Sequence, residues 1–403
     1  MLYDTRDSMP AADRERALFT TLRETMAHAV TRLPGWANRL RGIDPNSILS
    51  RDDLSALPIT RKSHLISEQH FDPPFAGLAW GDFQHLFVSP GPICEPQLSA
   101  LDSWGSARAL HAAGLRAGDT LINTFSYHLT PGGFMFDTGA RTLGCAVIPA
   151  GPGNTEQQLQ AIGRYRPTAY GGTADFLNLL MQACEQADVM DFPIRRAVLS
   201  GAAVPSNLRE RFHTAGIAVY ELYGTAELGV VAYETDARAG FVVNEDLIVE
   251  ILDPLTGKPV ADGHPGEVVV TRLAGDYPLF RFATGDLSAI IPESSPCGRT
   301  NMRLRGWLGR ADQTTKIKGM FVHPEQVIAV VSRLRGASKG QLIVTRHDDR
   351  DDMTLEIEIS GTAIDLGAAA QSLAAVTKLR GHVVIVSEGT IVQNGAIIDR
   401  RPV

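Results

Sequence analysis

Short apolar runs alternate with helical patterns between residues 102 and 225, and this alternation limits the folds that the chain can adopt. Residues 121–125, 146–149 and 196–199 are short and apolar, as strands buried in a sheet are. Strands that alternate with helices typically form one sheet with helices packed on it. We therefore predict the α/β class, with a large layered α/β domain in the N-terminal part of the chain.

Other patterns flank that region. Residues 13–40 predict an amphipathic helix, and strand patterns at 247–252, 266–271 and 287–291 predict a β subdomain. Residues 309–319 are charged and bounded by glycines, as a linker between domains often is. A small α+β domain is predicted beyond it, from a helix opening at 324, strands at 341–345, 353–359 and 383–386, and a helix at 363–379. Because 403 residues suggest more than one core, we predict domains at 1–308 and 309–403.

The composition excludes several classes of protein. A formal net charge of −7 argues against a general binder of nucleic acids or anionic membranes. Cys94, Cys145, Cys184 and Cys297 are too widely spaced for a zinc site or a disulfide framework, which favours reduced thiols. The polar N-terminus lacks the apolar core of a signal peptide. We expect a cytoplasmic protein that binds neither nucleic acid nor membrane.

The stretch from Val219 to Glu227 combines an apolar run with a turn and a carboxylate. It predicts a buried strand, a sharp turn at Gly224 and a helix capped by Thr225, whose hydroxyl and exposed amides would seat a phosphate. Glu227 would offer hard oxygens to Mg²⁺ beside that phosphate, and Tyr223 a flat face to a base. The alternative is an ordinary turn with a surface glutamate.

Two more segments suit a nucleotide. Thr284-Gly285-Asp286 predicts a turn whose carboxylate could accept both hydroxyls of a ribose, although a plain Asx-type turn would have the same sequence. Residues 196–205 predict a strand that ends in small residues, which would let a flat ring approach the backbone: Gly201, Ala202 and Ala203.

Aromatic side chains beside paired glycines could wall an aryl pocket, although core packing is the commoner role of such aromatics. The residues concerned are Phe125, Tyr127, Gly132, Gly133 and Phe134. Lys62 is interpreted as a solvated residue at the start of a helix.

The segment from Ser89 to Gln97 is a poor phosphate-binding loop by its chemistry. Its three prolines lack amide donors, and Glu95 would repel a phosphate. Cys94 could be a nucleophile there or a small buried residue, and the adjacent Glu95 has the wrong charge to favour a thiolate.

Together these stretches resemble the adenylate-forming (AMP-binding) superfamily, and most closely its phenylacetate–coenzyme A ligase branch. Tyr223 to Glu227 are similar to the Y-G-x-x-E signature, Thr284 to Asp286 to the ribose-binding T-G-D, and residues 309–319 to the hinge motif. Gly201, Ala202 and Ala203 lie where that family holds adenine. The resemblance extends from about residue 15 to Arg401.

The resemblance implies the two-domain fold of these enzymes, with a mobile C-terminal domain, and a two-step reaction. A carboxylate attacks the α-phosphate of ATP with Mg²⁺ present, and the thiol of coenzyme A then displaces AMP from the acyl-adenylate. The residue roles that it implies are adenine stacking by Tyr223, α-phosphate binding by Thr225, Mg²⁺ binding by Glu227, ribose binding by Asp286 near Arg310, a hinge at Asp312 and a pantetheine path along Gly319. The sequence is compatible with a homodimer.

Two departures from the family pattern bear on the first step. The threonines, second glycine and lysine of the family's phosphate loop are replaced between Ser89 and Gln97, and no lysine follows Lys378 where the family carries one. The loss of one preorganised donor typically costs ~10²–10³ in rate. One hypothesis is therefore an acyl- or aryl-coenzyme A ligase with altered phosphate contacts, whose aromatic residues favour an aromatic acid. The other is an adenylation-deficient homologue that binds a preformed acyl-adenylate or acyl-coenzyme A, for acyl transfer or ligand sensing.

Overall fold

A computed structural model describes residues 2–186, 192–254, 256–311, 315–318, 320–322, 324–347, 350–360 and 364–401. The chain divides into two compact units, Met1–Gly309 and Arg310–Val403. The α-helices of the described residues are α1 (Ala11–Arg32), α2 (Pro34–Arg39), α3 (Lys62–Phe71), α4 (Ser106–Ala112), α5 (Gly132–Thr142), α6 (Thr155–Tyr165), α7 (Ala174–Gln186), α8 (Ser206–Thr214), α9 (Pro324–Ser332) and α10 (Leu366–Thr377).

The strands of the first unit form two sheets and a separate hairpin. They are β1 (Thr60–Arg61), β2 (Phe83–Ser89), β3 (Ile93–Leu98), β4 (Thr120–Asn123), β5 (Ala146–Pro149), β6 (Ala169–Gly172), β7 (Arg196–Leu199), β8 (Ala218–Thr225), β9 (Gly229–Tyr233), β10 (Phe241–Val243), β11 (Leu247–Leu252), β12 (Gly266–Arg272), β13 (Leu279–Ser288), β14 (Ile290–Ile291) and β15 (Arg303–Leu304), followed at the unit boundary by β16 (Gly309–Arg310).

The larger sheet has the strand order β14-β15-β10-β9-β8-β7-β6-β4-β5. Its strands from β5 to β8 are parallel, and those from β8 onward are antiparallel. Side chains on β7 alternate between two apolar cores, because Ala197 and Leu199 pack with α7 and α8 while Val198 packs with α5. The sheet therefore lies between two layers of helices, which confirms the predicted layered α/β class.

The smaller sheet orders β1, β13, β12 and β11 and shares a core with the N-terminal helices. The predicted helix over residues 13–40 is wrong in its middle, because α1 ends at Arg32 and Pro34 occupies the first turn of α2. Proline favours that position because the first helical amides have no intrahelical partner. Trp36 of α2 then packs edge-on against Phe280 of β13, with ring centroids 4.6 Å apart.

The expected turn at Thr284-Gly285-Asp286 is also wrong, because β13 continues through these residues. The register with β12 jumps from Glu267 opposite Leu287 to Val269 opposite Ala283, so the strand bulges here. Gly285 has φ +75° at the bulge, a conformation that glycine adopts without steric cost.

The second unit is a small α+β fold. Its strands are β17 (Thr315–Ile317), β18 (Met320–Val322), β19 (Ala337–His347), β20 (Arg350–Ile359), β21 (His382–Val386) and β22 (Ile397–Asp399). Four of them form a sheet in the order β21-β20-β19-β22, and β17 pairs with β18. Met353, Leu355 and Ile357 of β20 are buried beside helices α9 and α10, so the strand predicted at 353–359 buries one of its faces. Within the described ranges, no helix combines the length and apolar character needed to cross a bilayer.

Candidate active site

The predicted site segments of the first unit follow the ends of parallel strands. Strands β4, β6, β7 and β8 are neighbours and parallel, so their carboxyl ends share one edge of the sheet. Residues 124–131 follow β4, Gly201 to Ala203 follow β7, and Tyr223 to Thr225 end β8. In open α/β sheets, ligands bind outside the carboxyl ends of the strands. The sheet edge is therefore the candidate site.

The turn at the end of β8 differs from the predicted one. No helix begins at Thr225, because β8 turns through residues 226–228 into the antiparallel strand β9. The Thr225 hydroxyl accepts a hydrogen bond from the Leu228 amide at 3.2 Å and so caps this tight turn. Gly224 is required by close approach rather than by turning, since a Cβ atom there would lie 2.6 Å from the carbonyl oxygen of Gly229.

Three side chains gather around the carboxylate of Asp286, and we name the four residues the Asp286 group: Tyr223, Thr284, Asp286 and Trp307. The Tyr223 hydroxyl lies 2.9 Å from Asp286 Oδ2 and 3.1 Å from Thr284 Oγ1. The indole N–H of Trp307 donates to Asp286 Oδ1 at 3.0 Å. The backbone amide of Asp286 donates to Thr284 Oγ1, which in turn donates to the carbonyl of Val268. The bulge in β13 thus places the predicted ribose carboxylate beside the predicted base-stacking tyrosine.

The three small residues after β7 lie next to this group. Gly201, Ala202 and Ala203 are exposed. Strand β7 pairs with β8 through Leu199 opposite Glu221, and the Val204 amide donates to Glu221 Oε2 at 3.1 Å. The loop is therefore fastened to β8 two residues before Tyr223.

A second set of side chains lies beneath the β8–β9 turn, and we name it the Glu227 group: Lys62, Ser89, Glu95, Glu227 and Arg272. Lys62 Nζ lies 2.7 Å from Glu227 Oε1, and the Glu227 side chain is only 1% exposed. Burial opposes ionisation of Glu227, but the Lys62 ammonium outweighs burial and lowers the pKa of the carboxyl. Lys62 does begin α3, but the expectation of a solvated side chain is wrong because the ammonium neutralises this buried carboxylate.

Glu227 is the residue predicted to hold Mg²⁺. The described parts of the chain contain no cluster of three His, Cys, Asp or Glu side chains that could hold a metal ion alone. A Mg²⁺ ion that arrives with a nucleotide needs only one or two carboxylates, because phosphates and water complete its shell. The buried Glu227 carboxylate fits that requirement, provided that Lys62 shifts from it.

Residues 89–97 belong to a β-hairpin in which β2 pairs with β3. Glu95 points into the protein and is 2% exposed, so its carboxyl is buried rather than displayed on the surface of the hairpin. The Ser89 hydroxyl donates to Glu95 Oε2 at 2.7 Å. Burial first, and the charge of Glu227 second, raise the pKa of Glu95 to about 8.

The hairpin is also tied to α3. Gln69 Nε2 donates to the Cys94 carbonyl at 2.9 Å, and the Cys94 amide donates to Gln69 Oε1 at 2.7 Å. One of the amides that a phosphate loop would direct at its ligand is therefore committed to a side chain. Burial and the neighbouring Glu95 raise the pKa of the Cys94 thiol, which argues against Cys94 as a nucleophile.

Arg272 completes the Glu227 group. Its guanidinium donates to the carbonyl of Glu227 at 2.9 Å and to the carbonyl of Ser103 at 3.2 Å. Burial lowers the pKa of Arg272 to about 10, so the group stays cationic at neutral pH. The contact with the Glu227 carbonyl holds the turn that carries this glutamate.

The predicted aromatic pocket is partly an internal cluster. The Phe125 ring packs on Phe136 at 4.7 Å, and the Tyr127 ring lies edge-on to Phe134 at 5.2 Å. The Tyr127 hydroxyl accepts from Asn123 Nδ2 and donates to Asp137 Oδ2. Phe125, Tyr127 and Phe134 are nevertheless half-buried rather than enclosed, so each keeps a part of its surface exposed.

The glycines at the start of α5 have different roles. A Cβ atom on Gly133 would lie within 2.9 Å of the Tyr127 ring, so this glycine lets the ring pack on the helix. A Cβ atom on Gly132 would meet Phe125 at 3.8 Å, which is ordinary contact. Of the residues predicted at the hinge, Arg310 is half-buried and begins the second unit, whereas Asp312 and Gly319 lie outside the described residues.

Sequence reasoning missed three contributors to the site: Gln69, Arg272 and Trp307. Each of them meets its partner across more than twenty residues of chain, and no motif or periodicity links the two.

Comparisons with known proteins identify the family of the chain. The family model described as AMP-binding enzyme matches residues 99–274. Phenylacetate-coenzyme A ligase of Thermus thermophilus is 30% identical over 88% of this chain and 82% of its own length. The enzyme of the same name from Escherichia coli is 28% identical over 88% of this chain and 85% of its own length.

Among solved structures, 2-hydroxyisobutyryl-CoA ligase in complex with 2-HIB-AMP and CoA superposes with a TM-score of 0.85. At 24% identity it covers 98% of this chain and 91% of its own. That likeness shows the fold of an adenylate-forming enzyme. The relatives show the family, and the chain belongs to the adenylate-forming AMP-binding enzymes, in their phenylacetate–coenzyme A ligase branch.

Proposed function

We propose that this enzyme joins an aromatic carboxylic acid to coenzyme A, consuming ATP and releasing AMP and pyrophosphate. The observation that carries the proposal is the Asp286 group, which places a buried carboxylate beside an aromatic ring at the carboxyl edge of the sheet. Such a carboxylate can accept both hydroxyls of a ribose. The relatives named phenylacetate-coenzyme A ligase support the same reaction class.

In the first step, an oxygen of the acid attacks the α-phosphorus of ATP, and the bond to pyrophosphate breaks. We assign adenine to the space between Tyr223 and the loop Gly201–Ala203, and ribose to Asp286. Thr225 would meet the α-phosphate, and Glu227 would hold Mg²⁺, which neutralises phosphate charge when bound. Phosphoryl transfer depends mainly on positioning and charge neutralisation, so these residue types suit the step.

In the second step, the sulfur of coenzyme A attacks the acyl carbon and AMP leaves with the bonding electrons. We assign this step to a rearrangement of the second unit about Asp312, with Arg310 near the ribose and Gly319 along the pantetheine path. These three assignments follow from the family pattern and remain predictions.

The aromatic class of the acid rests on the cluster of Phe125, Tyr127 and Phe134. These rings follow β4 at the same sheet edge and keep part of their surface exposed. Ring faces and edges favour another aromatic ring in offset or edge-on contact. The buried Asn123 amide fixes the Tyr127 hydroxyl and so shapes this wall.

The two steps are tested separately. ATP–pyrophosphate exchange with a panel of aryl and alkyl acids reports the first step, and thioester formation from synthetic acyl-adenylates plus coenzyme A reports the second. We expect both activities, with aryl acids preferred to alkyl acids of equal length. Absence of pyrophosphate exchange with every acid, or of thioester formation from every adenylate, would contradict the proposal.

A second candidate is favoured by one observation, the Cys94 amide that is committed to Gln69. A hairpin held in this way offers fewer donors to the outer phosphates, which suits a protein that binds a preformed acyl-adenylate or acyl-coenzyme A. The same assays separate the candidates, because that protein would form thioester from the adenylate and show no pyrophosphate exchange.

A further inference from the structure

Trp307 is an aromatic residue that neither the sequence motifs nor the proposed reaction uses. Its side chain is 39% exposed, yet its indole N–H meets a carboxylate that is only 8% exposed. An exposed tryptophan does not need a protein partner, because water can satisfy its single donor. The hydrogen bond therefore matters for Asp286 rather than for Trp307.

The backbone around Trp307 is hydrogen-bonded to the end of the strand that carries Asp286. The Arg305 amide donates to the Ala289 carbonyl, and the Leu308 amide donates to the Leu287 carbonyl, both at 2.9 Å. The Ser288 hydroxyl donates to the Gly306 carbonyl at 2.7 Å. Two backbone bonds and one side-chain bond thus fix the segment 305–308 in register with the end of β13.

Gly306 allows the backbone conformation that places the indole beside Asp286. Its φ is +98°, and a Cβ atom there would lie 2.9 Å from the Phe241 ring. Any other residue would meet both backbone strain and a steric clash at this position. The local backbone therefore fixes where the Trp307 side chain begins and directs it toward Asp286.

The two oxygens of Asp286 are held by neutral donors on different elements. Oδ2 accepts from the Tyr223 hydroxyl on β8, and Oδ1 accepts from Trp307 after β15. The terminal torsion of an aspartate is otherwise broad, so one donor on each oxygen fixes the plane of the carboxylate. Each carboxylate oxygen has two lone-pair sites, so an oxygen that accepts one of these bonds can also accept a hydrogen bond from a ligand.

We propose that Trp307 is a positioning residue for ribose recognition, because its N–H holds the Asp286 carboxylate in the plane that accepts the 2′- and 3′-hydroxyls. This inference rests on the proposed function, in which Asp286 binds the ribose. A carboxylate fixed before binding loses less freedom when the nucleotide arrives, which raises affinity for nucleotides that have both hydroxyls. A nucleotide that lacks one of those hydroxyls gains less from the fixed plane.

The test measures binding by calorimetry for AMP, 2′-deoxy-AMP and 3′-deoxy-AMP. Trp307→Phe removes the donor and keeps a ring, and Trp307→Gln restores a donor on a smaller side chain. Trp80→Phe is the matched control, because Trp80 is 50% exposed and stacks on Arg32 instead. Thermal unfolding of each variant shows whether the fold is kept.

We expect Trp307→Phe to weaken AMP about 10-fold, the size of one charge-assisted hydrogen bond, and to weaken the deoxy nucleotides by less than about 2-fold. The ratio of AMP affinity to 3′-deoxy-AMP affinity then shrinks, whereas Trp307→Gln recovers part of it and Trp80→Phe leaves it unchanged. A structural role alone would weaken all three nucleotides equally.

An unchanged ratio in both Trp307 variants overturns the inference and leaves the proposed function standing. If Trp307→Phe does not fold, Trp307→Gln alone tests the inference. We then expect its ratio of AMP affinity to 3′-deoxy-AMP affinity to be lower than that of wild type. If the wild-type protein binds none of the three nucleotides, the proposed function fails, and this inference fails with it.

Discussion

The Asp286 group and the Glu227 group share the β8–β9 hairpin, since Tyr223 belongs to the first and Glu227 to the second, yet their carboxylates meet different kinds of donor. Asp286 accepts hydrogen bonds from a phenol and an indole, which are neutral. Glu227 is met by the Lys62 ammonium, which cancels its charge inside the protein. The Glu227 carboxylate must therefore exchange an internal cation before it meets Mg²⁺, whereas the phenol and the indole of the Asp286 group bring no charge that a ligand would have to displace.

The largest expected effect is on the Glu227 group. Lys62→Met leaves a carboxylate that is 1% exposed without the cation 2.7 Å away. Removal of one partner of a buried ion pair costs about 3–5 kcal/mol of unfolding free energy. We expect a loss of that size in denaturant titrations, and no such loss for Lys258→Met, because Lys258 is exposed.

A second substitution makes the reason for that loss testable. Glu227→Gln in the Lys62→Met background removes the unpaired charge, so the double variant should be more stable than Lys62→Met alone. A double variant that is less stable than Lys62→Met would mean that Lys62 acts on the fold by packing and not through Glu227.

Glu95 gives the Glu227 group a pH dependence. In the unfolded chain its carboxyl ionises near the ordinary pKa of 4.5, whereas in the fold it holds its proton to about pH 8. Between these values the folded state binds more protons, so unfolding free energy falls as the pH rises and levels off above the folded pKa. We expect wild type to lose stability relative to Glu95→Gln by roughly 1 kcal/mol for each pH unit in this window.

Denaturant titrations from pH 4.5 to 8.5, in a buffer with a chelator to remove divalent metal ions, measure this difference. Glu210→Gln is the control, because Glu210 is exposed and should follow wild type at every pH. Parallel curves for wild type and Glu95→Gln would show that Glu95 is ionised in the fold, and the contrast between the two groups would then rest on Lys62 alone.

The Asp286 group has a smaller effect that is read in binding. Asp286→Ala removes the proposed acceptor for both ribose hydroxyls, and charge-assisted hydrogen bonds are worth about 1.5–3 kcal/mol each. We expect AMP affinity by calorimetry to fall at least about 10-fold, while adenine alone binds as it does to wild type. Equal losses for AMP and adenine would place the ribose elsewhere.

The sequence predicted the parts of this comparison that depend on local pattern. Alternation on strands such as β7 is visible because each face of the sheet buries its own core, and the Tyr223 and Asp286 motifs are compact. The pairing of Lys62 with Glu227 has no local signature, since it depends on α3 meeting the β8–β9 turn. The bulge at Gly285 also escaped prediction, because a turn and a bulge both favour glycine at positive φ.

The smallest effect concerns how firmly the β2–β3 hairpin is held. Gln69 is 5% exposed and makes two neutral hydrogen bonds to Cys94, at 2.7 Å and 2.9 Å. Each such bond contributes about 1 kcal/mol net, so Gln69→Ala should cost about 1–2 kcal/mol of unfolding free energy and should speed hydrogen exchange at the Cys94 amide.

Gln84→Ala is the control on the same hairpin, because Gln84 is exposed. If the Cys94 amide freed in Gln69→Ala also strengthens the binding of ATP relative to AMP, the hairpin can bind the outer phosphates once Gln69 no longer holds that amide. If exchange at the Cys94 amide stays as slow as in wild type, the pairing between β2 and β3 holds the hairpin without Gln69. The Asp286 group and the Glu227 group would then differ only in the charge of the partners that their carboxylates meet.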